Sequence, residues 1–194
     1  LGAGHTAVSY DGLSVADTRQ GQIDLGQFST NRLGDLSLQN MGEGQLLCPV
    51  RNMAAAVVSL HTPWAPQTDA LWHGSATLRQ AAFGTYAPSL SVQKRVARHT
   101  SLGIGGDYFF AHNDYPFYVE NGVASETLRR TNSRMQTATT EVNLHQTLQH
   151  DGQITAKAYF YHNYRRLPGM VYLYVNHNDE RLKEETAFAQ TRWT

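Results

Sequence analysis

The sequence predicts a fold dominated by β-strands, in which a small α/β segment precedes a longer antiparallel sheet. After residue 73, apolar and polar side chains alternate over long runs, which is the period of a strand with two different faces. No competing helical period occurs in this half. The chain also holds 10 Tyr, 7 Phe and 3 Trp but only 16% charged residues, which fits a β protein with much neutral surface.

Composition excludes several classes of function. The 16 basic residues balance the 16 acidic residues, so we expect no nucleic-acid partner. One cysteine excludes an internal disulfide and a cysteine-rich metal site. No apolar run approaches the roughly 18–20 residues of a spanning helix. Because the chain begins with Leu1 and ends at Thr194 within an alternating strand, we interpret it as a piece of a longer chain.

The first region, residues 1–62, contains short elements joined by glycine-rich turns. An Asp11-Gly12 turn lies between β-rich flanks, and a short helical stretch is expected near Ser29–Arg32. These features predict a compact α/β element. A segment with Pro63 and Pro66 follows, so we take residues 63–73 as a linker.

The second region, residues 74–194, contains about six strands. They are predicted at 74–84, 89–98, 101–112, 132–149, 153–165 and 183–194. Long connections fall at one end of this sheet and short ones at the other, apart from the modest first loop at Thr85–Pro88. Outer-membrane β-barrels have this asymmetry, so the region is predicted to be part of such an antiparallel barrel.

The hairpin EVNLHQTLQHDGQITAKAYFYHN fixes the expected register. Its apolar residues share one face only if the connection has an odd number of residues, which favours His150–Gly152 with Gly152 in the left-handed conformation. The predicted pairs are Val142–Phe160, Leu144–Ala158 and Leu148–Ile154 here, and Leu90–Tyr108, Val92–Gly106 and Val96–Leu102 in the preceding hairpin. Lys94 and Gln146 then fall on the apolar face as exceptions.

Motifs of known chemistry are few. The nine histidines lack the close spacing of a metal site, and no nucleophile elbow, H-E-x-x-H or phosphate loop is present. Gly103–Gly106 is glycine-rich but lies inside a predicted strand. Asp11, Asp24 and Asp35 are explained by turn and cap roles. We therefore expect neither an enzyme nor a cofactor.

Two segments are candidates for contact with a ligand. NDYPFYVENG, at 113–122, carries Tyr115, Phe117 and Tyr118 in a long connection, where binding residues concentrate. Arg165 and Arg166 lie where a strand runs into a loop and could meet an anionic ligand. Two alternatives stay open. The aromatic residues could pin the loop or form a belt at a lipid interface, and the arginines could hold loop carboxylates at Asp179, Glu180, Glu184 or Glu185.

The order of these segments resembles the TonB-dependent receptors of the outer membrane. In the first region, the resembling pieces are DGLSVAD, RQGQIDLGQFS, the strand at Leu36–Leu38, the turn at Gly42–Gly44 and AAAVVSLHT. In the second region, they are DYFFAHNDYPFYVENG, the R-x-N-S of Arg130–Ser133, AKAYFYHNYRRLPG, Asp179–Leu182 and Phe188–Gln190. The second set is similar to receptors of the Bacteroidetes type. DLSLQN and CPVRNMAAA replace the acidic-valine-leucine and Y-G-S pattern of well-known members, so the resemblance does not extend to a substrate.

The resemblance implies a domain organisation and an activity. Residues 1–62 would be the C-terminal part of a plug domain, and 74–194 the first strands of a barrel of roughly 22 strands. The protein would import a scarce, bulky nutrient (an iron chelate, haem, a corrinoid or a glycan) across the cell outer membrane of a Gram-negative bacterium. Its partners would be the TonB energy-transducing complex, through a segment outside this sequence, outer-membrane lipid and, for a glycan, a surface lipoprotein.

A membrane barrel and a soluble module differ in what covers each strand face. In the barrel, the face with Val142 and Leu144 meets lipid, and the face with Glu141, Asn143 and Lys157 meets the lumen. The alternative is a soluble β-sandwich that binds a ligand, such as a carbohydrate-binding domain, and there the apolar face would be an ordinary core.

Overall fold

The computed structural model describes residues 6–15, 24–40, 56–62, 72–122, 124–148, 152–171 and 178–194, and these are folded almost entirely as β-strands. The chain divides into two compact units, Leu1–Gln67 and Thr68–Thr194. Antiparallel pairing dominates in both. The prediction of a β-dominated, antiparallel fold is therefore confirmed.

The first unit contains a four-stranded sheet. Its strands are β1 (Thr6–Tyr10), β2 (Leu13–Val15), β3 (Asp35–Asn40) and β4 (Ala56–His61), in the order β2-β1-β4-β3. Strands β1 and β4 are parallel, and the other two pairs are antiparallel. The predicted Asp11-Gly12 turn joins β1 to β2 with φ angles of 49° and 86°, a left-handed pair that Asp and Gly tolerate.

The described part of the first unit is not an α/β element, so that prediction is wrong there. The helical stretch consists of two 3₁₀ turns, Leu25–Gln27 and Thr30–Arg32, and no α-helix occurs among the described residues. Each turn ends because the residue after it, Phe28 or Leu33, has extended backbone angles. The turns are thus too short to propagate an α-helix, whose first turn is the costly one.

The second unit contains a six-stranded antiparallel sheet whose strands correspond to the six predicted ones. They are β5 (Trp72–Ala81), β6 (Thr85–Ala97), β7 (Thr100–Ala111), β10 (Met135–Thr147), β11 (Gln153–Arg166) and β12 (Arg181–Trp193), in the order β12-β11-β10-β7-β6-β5. Strand β5 already includes Trp72 and His73, so the end of the predicted linker is strand. Residues 63–71 lie outside the described residues.

The first connection of this sheet differs from the prediction. Thr85–Pro88 belongs to β6, with Pro88 paired to Leu78, and the turn is formed by residues 82–84. Phe83 and Gly84 have φ angles of 58° and 66°, which make the tight reversal possible. Pro88 can lie within β6 because proline fits a strand position where its missing N–H is not needed.

The other connections keep the predicted asymmetry. The short connections are residues 98–99 and 149–151, and 149–151 lie outside the described residues. The long connections are 112–134 and 167–180, at the opposite end of the sheet. The longer connection holds a hairpin that the sequence reading missed, made of β8 (Pro116–Asn121) and β9 (Ala124–Arg129). Asn121-Gly122 is a recognised hairpin signal, and Gly122 has a φ of 63°.

The predicted parity of the hairpins is confirmed, but the predicted pairs are wrong by two residues. Val142 pairs with Ala158 and Gln146 with Ile154, and the Leu148 N–H donates to the Gly152 carbonyl at 2.6 Å. Gly152 therefore closes the ladder, and the connection is 149–151 instead of 150–152. The β6–β7 hairpin is shifted in the same way, with Leu90 opposite Gly106, Val92 opposite Ile104 and a bulge between Arg95 and Ala97.

The described sheet is open. Strands β5 and β12 are its edges, so no closed barrel is formed by the residues that the structure describes. Among these same residues, no helix is long and apolar enough to cross a membrane.

Candidate functional site

The apolar face of the six-stranded sheet is the exposed one. A row of paired positions across all six strands consists of Gly74, Val92, Ile104, Val142, Ala158 and Ala189. Ile104 is 52% exposed, and Leu78 on the same face is 71% exposed. Next to this row, Gly106 leaves an apolar depression of about 650 Å³ with Leu90 and Tyr108 on its rim. A soluble sheet covers such a face with a second layer.

The opposite face carries polar side chains and is buried on the central strands β10 and β11. One row across it consists of Ser75, Ser91, Gly105, Glu141, Tyr159 and Phe188. Glu141 is 1% exposed and Asn163 is fully buried, and both belong to the largest fully buried side chains of the described residues. The faces of this sheet are thus inverted relative to a soluble protein, in which buried charges are rare.

A buried ion pair lies at the centre of the polar face. The Lys157 ammonium is 3.0 Å from Glu141 Oε1, and both side chains are about 1% exposed. Asn143 donates to the same carboxylate oxygen at 2.5 Å. The pair forms diagonally because Lys157 is opposite Asn143 in the ladder and Glu141 is opposite Tyr159. Two mutually compensating charges and an amide donor can hold this face in one geometry.

Aromatic residues concentrate at both ends of the exposed face. Tyr86 and Phe110 are opposite each other near the long connections, and Tyr108 follows on the same face. Trp72 and Trp193 lie near the short connections and are strongly exposed. Tyr and Trp prefer such positions where an apolar layer meets a polar one.

Two of the predicted ligand contacts come together in the long connection 112–134. The Tyr115 ring lies 6.5 Å from Phe117 and 6.2 Å from Phe83 in edge-to-face geometry. The Arg130 guanidinium lies 5.5 Å from the centre of the Phe117 ring, which is cation–π distance. The Phe83, Tyr115 and Phe117 rings therefore form an aromatic row that links the 82–84 turn to the connection 112–134.

Tyr118 lies apart from this row. It pairs with Thr127 while Phe117 pairs with Leu128, so the two side chains leave the β8–β9 hairpin on opposite faces. Tyr118 is 64% exposed and Tyr115 is 41% exposed, so the Tyr118 phenol, in the middle of β8, is the more accessible of the two. It can stack on a sugar or another planar group that approaches from solvent.

Arg165 and Arg166 do not form one site either, because adjacent strand residues point to opposite faces. Arg165 shares the face of Asn163, where its Nε is buried without a hydrogen-bond partner among the described residues. Arg166 shares the apolar face and is exposed. Within the part of the chain that the structure describes, neither arginine forms an ion pair with a carboxylate of the loops. Glu184 instead accepts from Asn163 at 2.6 Å, and Glu185 pairs with Lys183 at 2.9 Å.

The sequence reading missed the groups that tie the two long connections together. Arg130 donates from Nη2 to the Gly169 carbonyl at 2.6 Å, and Asn132 donates to the carbonyls of Leu167 and Glu180 at 2.9 and 3.0 Å. A Cβ at position 169 would lie 2.8 Å from the Asn178 side chain, so the close approach of residue 169 to Asn178 requires glycine. The R-x-N-S and L-P-G motifs were the sequence signal for this contact. An Arg and an Asn two residues apart can donate hydrogen bonds to neighbouring backbone carbonyls.

The polar contacts described above fall into two groups. One is the buried ion pair of Glu141 and Lys157 on the polar face, and the other is the set of hydrogen bonds by which Arg130 and Asn132 join the two long connections. Within the described ranges, no group of three or more His, Cys, Asp or Glu side chains is arranged to hold a metal ion. Comparison with known proteins gives no assignment, because no family model matches the chain and no curated protein matches it.

Proposed function

We propose that this chain is part of a TonB-dependent transporter in the outer membrane of a Gram-negative bacterium. Its ligand would be a scarce, bulky nutrient of the iron-chelate, haem, corrinoid or glycan type. In this proposal, residues 1–62 belong to the plug domain and the six-stranded sheet supplies the first strands of the barrel. The resemblance of the motifs described above supplies the family.

The observation that carries the proposal is the inversion of the two sheet faces. Glu141, Lys157 and Asn163 are buried, whereas Leu78, Leu90 and Ile104 are exposed. Exposing a broad apolar sheet face to water is unfavourable, but exposing it to lipid is not. A barrel strand with apolar residues outside and polar residues inside meets this requirement.

Two further observations support the same proposal. Aromatic residues lie at both ends of the exposed face, as in the girdles of membrane barrels. The long connections gather at one end of the sheet and are tied to each other by Arg130 and Asn132. Such connections would form an outer surface on which Tyr118 could contact the nutrient.

The soluble β-sandwich module is less well supported. It would need its ligand-binding polar groups on the solvent side and its aliphatic residues in the core. The exposures of Ile104 and Glu141 are the reverse of that requirement.

The test combines localisation with energy-dependent uptake. In the source bacterium, the protein should sediment with the outer membrane, and deletion of its gene should abolish growth on one limiting nutrient of the four classes. Loss of the TonB complex should have the same effect as the deletion. Tyr118→Ala should reduce uptake at low nutrient concentration with unchanged protein abundance. Recovery of the protein in a soluble fraction, or uptake that is independent of TonB, would contradict the proposal.

A further inference from the structure

The exposed face carries a cluster of arginines at the end where the long connections lie. Arg166 and Arg181 are directly opposite each other in the β11–β12 ladder. The Arg166 N–H donates to the Arg134 carbonyl at 2.8 Å, so Arg134 continues the same row on the neighbouring strand. Arg134, Arg166 and Arg181 therefore share one face, and we refer to them as the arginine row.

Register shows that this face is the apolar one. The Arg134 guanidinium lies 5.9 Å from the ring centre of Phe110, which is opposite Gln136 on β10. Gln136 is two residues from Ala138 and four from Thr140, which belong to the face of Leu90 and Phe160. Arg166 and Arg181 also both face the Tyr164 hydroxyl. The arginine row thus stands above the apolar face, not above the buried polar one.

The side chains change in order from the arginine row toward the middle of the sheet. On β11 and β12 the next row is Tyr164 with Lys183, and then His162 with Glu185. After these come Phe160 with Ala187 and Ala158 with Ala189. This sequence of charged, amphipathic and apolar rows parallels the headgroup, interface and acyl layers of a lipid leaflet.

The charge of the row is not neutralised by nearby carboxylates. Glu185 is the acidic group that follows on this face, and it pairs with Lys183 at 2.9 Å and with His162 at 3.2 Å. Among the residues that the structure describes, no carboxylate forms an ion pair with Arg134, Arg166 or Arg181. Arg166 and Arg181 are exposed and Arg134 is half-buried, so the arginine row places a net positive charge at this end of the apolar face.

We propose that the arginine row binds the phosphate of an anionic lipid headgroup, while the rows below it contact the acyl chains of the same lipid. Guanidinium groups form bidentate hydrogen bonds to phosphate, and Arg keeps its charge at any working pH. The positive charge of the arginine row favours an anionic headgroup. The exposed apolar rows that contain Phe160 and Ala158 favour a lipid with acyl chains over a soluble anion. The inference rests on the proposed membrane location but concerns which lipid the barrel holds. It also assigns Arg166 to the lipid and not to the transported nutrient.

The experiment uses the full-length protein in phosphatidylcholine bilayers with and without phosphatidic acid. Retention of phosphatidic acid after detergent extraction is measured by native mass spectrometry. The wild type should retain it, and each arginine-to-glutamine change in the row should weaken binding by about fivefold, as expected for one cation near an anionic surface. The triple variant R134Q/R166Q/R181Q should lose selectivity over phosphatidylcholine. Arg98→Gln and Arg129→Gln, which remove arginines elsewhere, are the matched controls and should bind as the wild type does.

Two outcomes would overturn the inference, and both differ from failure of the proposed function. Equal retention by the triple variant would show that the row does not bind lipid, although the protein still inserts. Competition by inorganic phosphate at the concentration of the lipid would indicate a site for a free anion. A protein that fails to insert into phosphatidylcholine bilayers would instead refute the membrane proposal and the lipid site with it. Folding of the triple variant is checked by its heat-dependent gel migration.

Discussion

The most deeply buried side chains of the two units differ in chemistry. In the first unit the largest fully buried side chain of the described residues is Leu60, and Tyr10 and Phe28 pack at 4.8 Å beside other buried apolar groups. In the second unit the corresponding side chains are Glu141 and Asn163. Both units are built from β-strands. The difference lies in which side chains of the strands are covered.

This difference shows that alternation by itself does not say which face is inside. A sheet buries its apolar face when water is the solvent on the other side. When lipid is the solvent, the apolar face can stay outside and the polar groups must satisfy one another within. If the proposed membrane location holds, the buried ion pair between Glu141 and Lys157 is such an internal contact.

The largest effect is expected from removal of one partner of this ion pair. Lys157→Met leaves the Glu141 carboxylate buried without its cation, and loss of one partner of a buried pair costs about 3–5 kcal/mol of the free energy of unfolding. The measurement is urea unfolding of the protein in detergent or lipid. In the double variant Glu141→Gln/Lys157→Met the buried charge is absent, so most of the loss should be recovered.

Lys183→Met is the matched control for this prediction. Lys183 also pairs with a glutamate, but its side chain is 60% exposed, so the change should cost no more than about 1 kcal/mol. If Lys157→Met and Lys183→Met lower the free energy of unfolding equally, burial of the Glu141–Lys157 ion pair does not increase its contribution to the stability of the second unit.

A charge on the exposed face is expected to have the next largest effect. Ile104→Arg places a guanidinium between Val92 and Val142 in the middle of the apolar row. At the lipid-facing midplane of a barrel, Arg costs about 2–4 kcal/mol, whereas at a water-exposed site the change stays within about 0.5 kcal/mol. Folding into liposomes, followed by urea titration, measures the difference.

Met170→Arg separates lipid from water in the same assay. Met170 is more exposed than Ile104 but lies in the connection 167–180, outside the strands. It should therefore tolerate arginine with little loss of stability. If Ile104→Arg is equally neutral, the apolar face does not contact lipid, and the membrane assignment is wrong.

The strands and the parity of the sheet could be predicted because each depends on local sequence. Alternation located all six strands, and the requirement that Val142 and Leu144 share a face with Ala156 and Ala158 fixed the parity of the hairpin. The register itself was wrong by two residues, since both pairings satisfy the same parity. Choosing between them depends on the geometry of the turn, which the alternation does not contain.

The candidate site was harder to predict because it depends on contacts across long connections. Tyr115 and Phe117 are in ring contact, but Tyr118 lies on the other face of a hairpin that was not predicted from the sequence. Arg165 and Arg166 were grouped by adjacency, although strand geometry separates them. Arg130 and Asn132 bind carbonyls of a connection far along the chain, and no periodic pattern in the sequence reports such pairs.

The smallest effect is expected at a carboxylate of the first unit, which acts at a turn and not in the interior. Asp11 accepts from the Thr62 N–H at 2.8 Å and from the Thr62 hydroxyl at 2.6 Å. Asp11→Gly removes both acceptors but still permits the left-handed φ of 49°, so the turn conformation is kept while the two hydrogen bonds are lost. Bonds to a charged group at this half-buried site should be worth about 1.5–3 kcal/mol, measured by hydrogen exchange of the Thr62 amide.

Asp11→Asn keeps the backbone preference and one acceptor oxygen, and the Thr62 hydroxyl can turn to accept from the new amide. It should therefore lose less than Asp11→Gly, about 1 kcal/mol. Equal losses for the two variants would show that the negative charge, and not the acceptor geometry, holds Thr62 in place. In that case the first unit would depend on a carboxylate charge, as the second unit does at Glu141. The two units would then differ only in which apolar residues they bury.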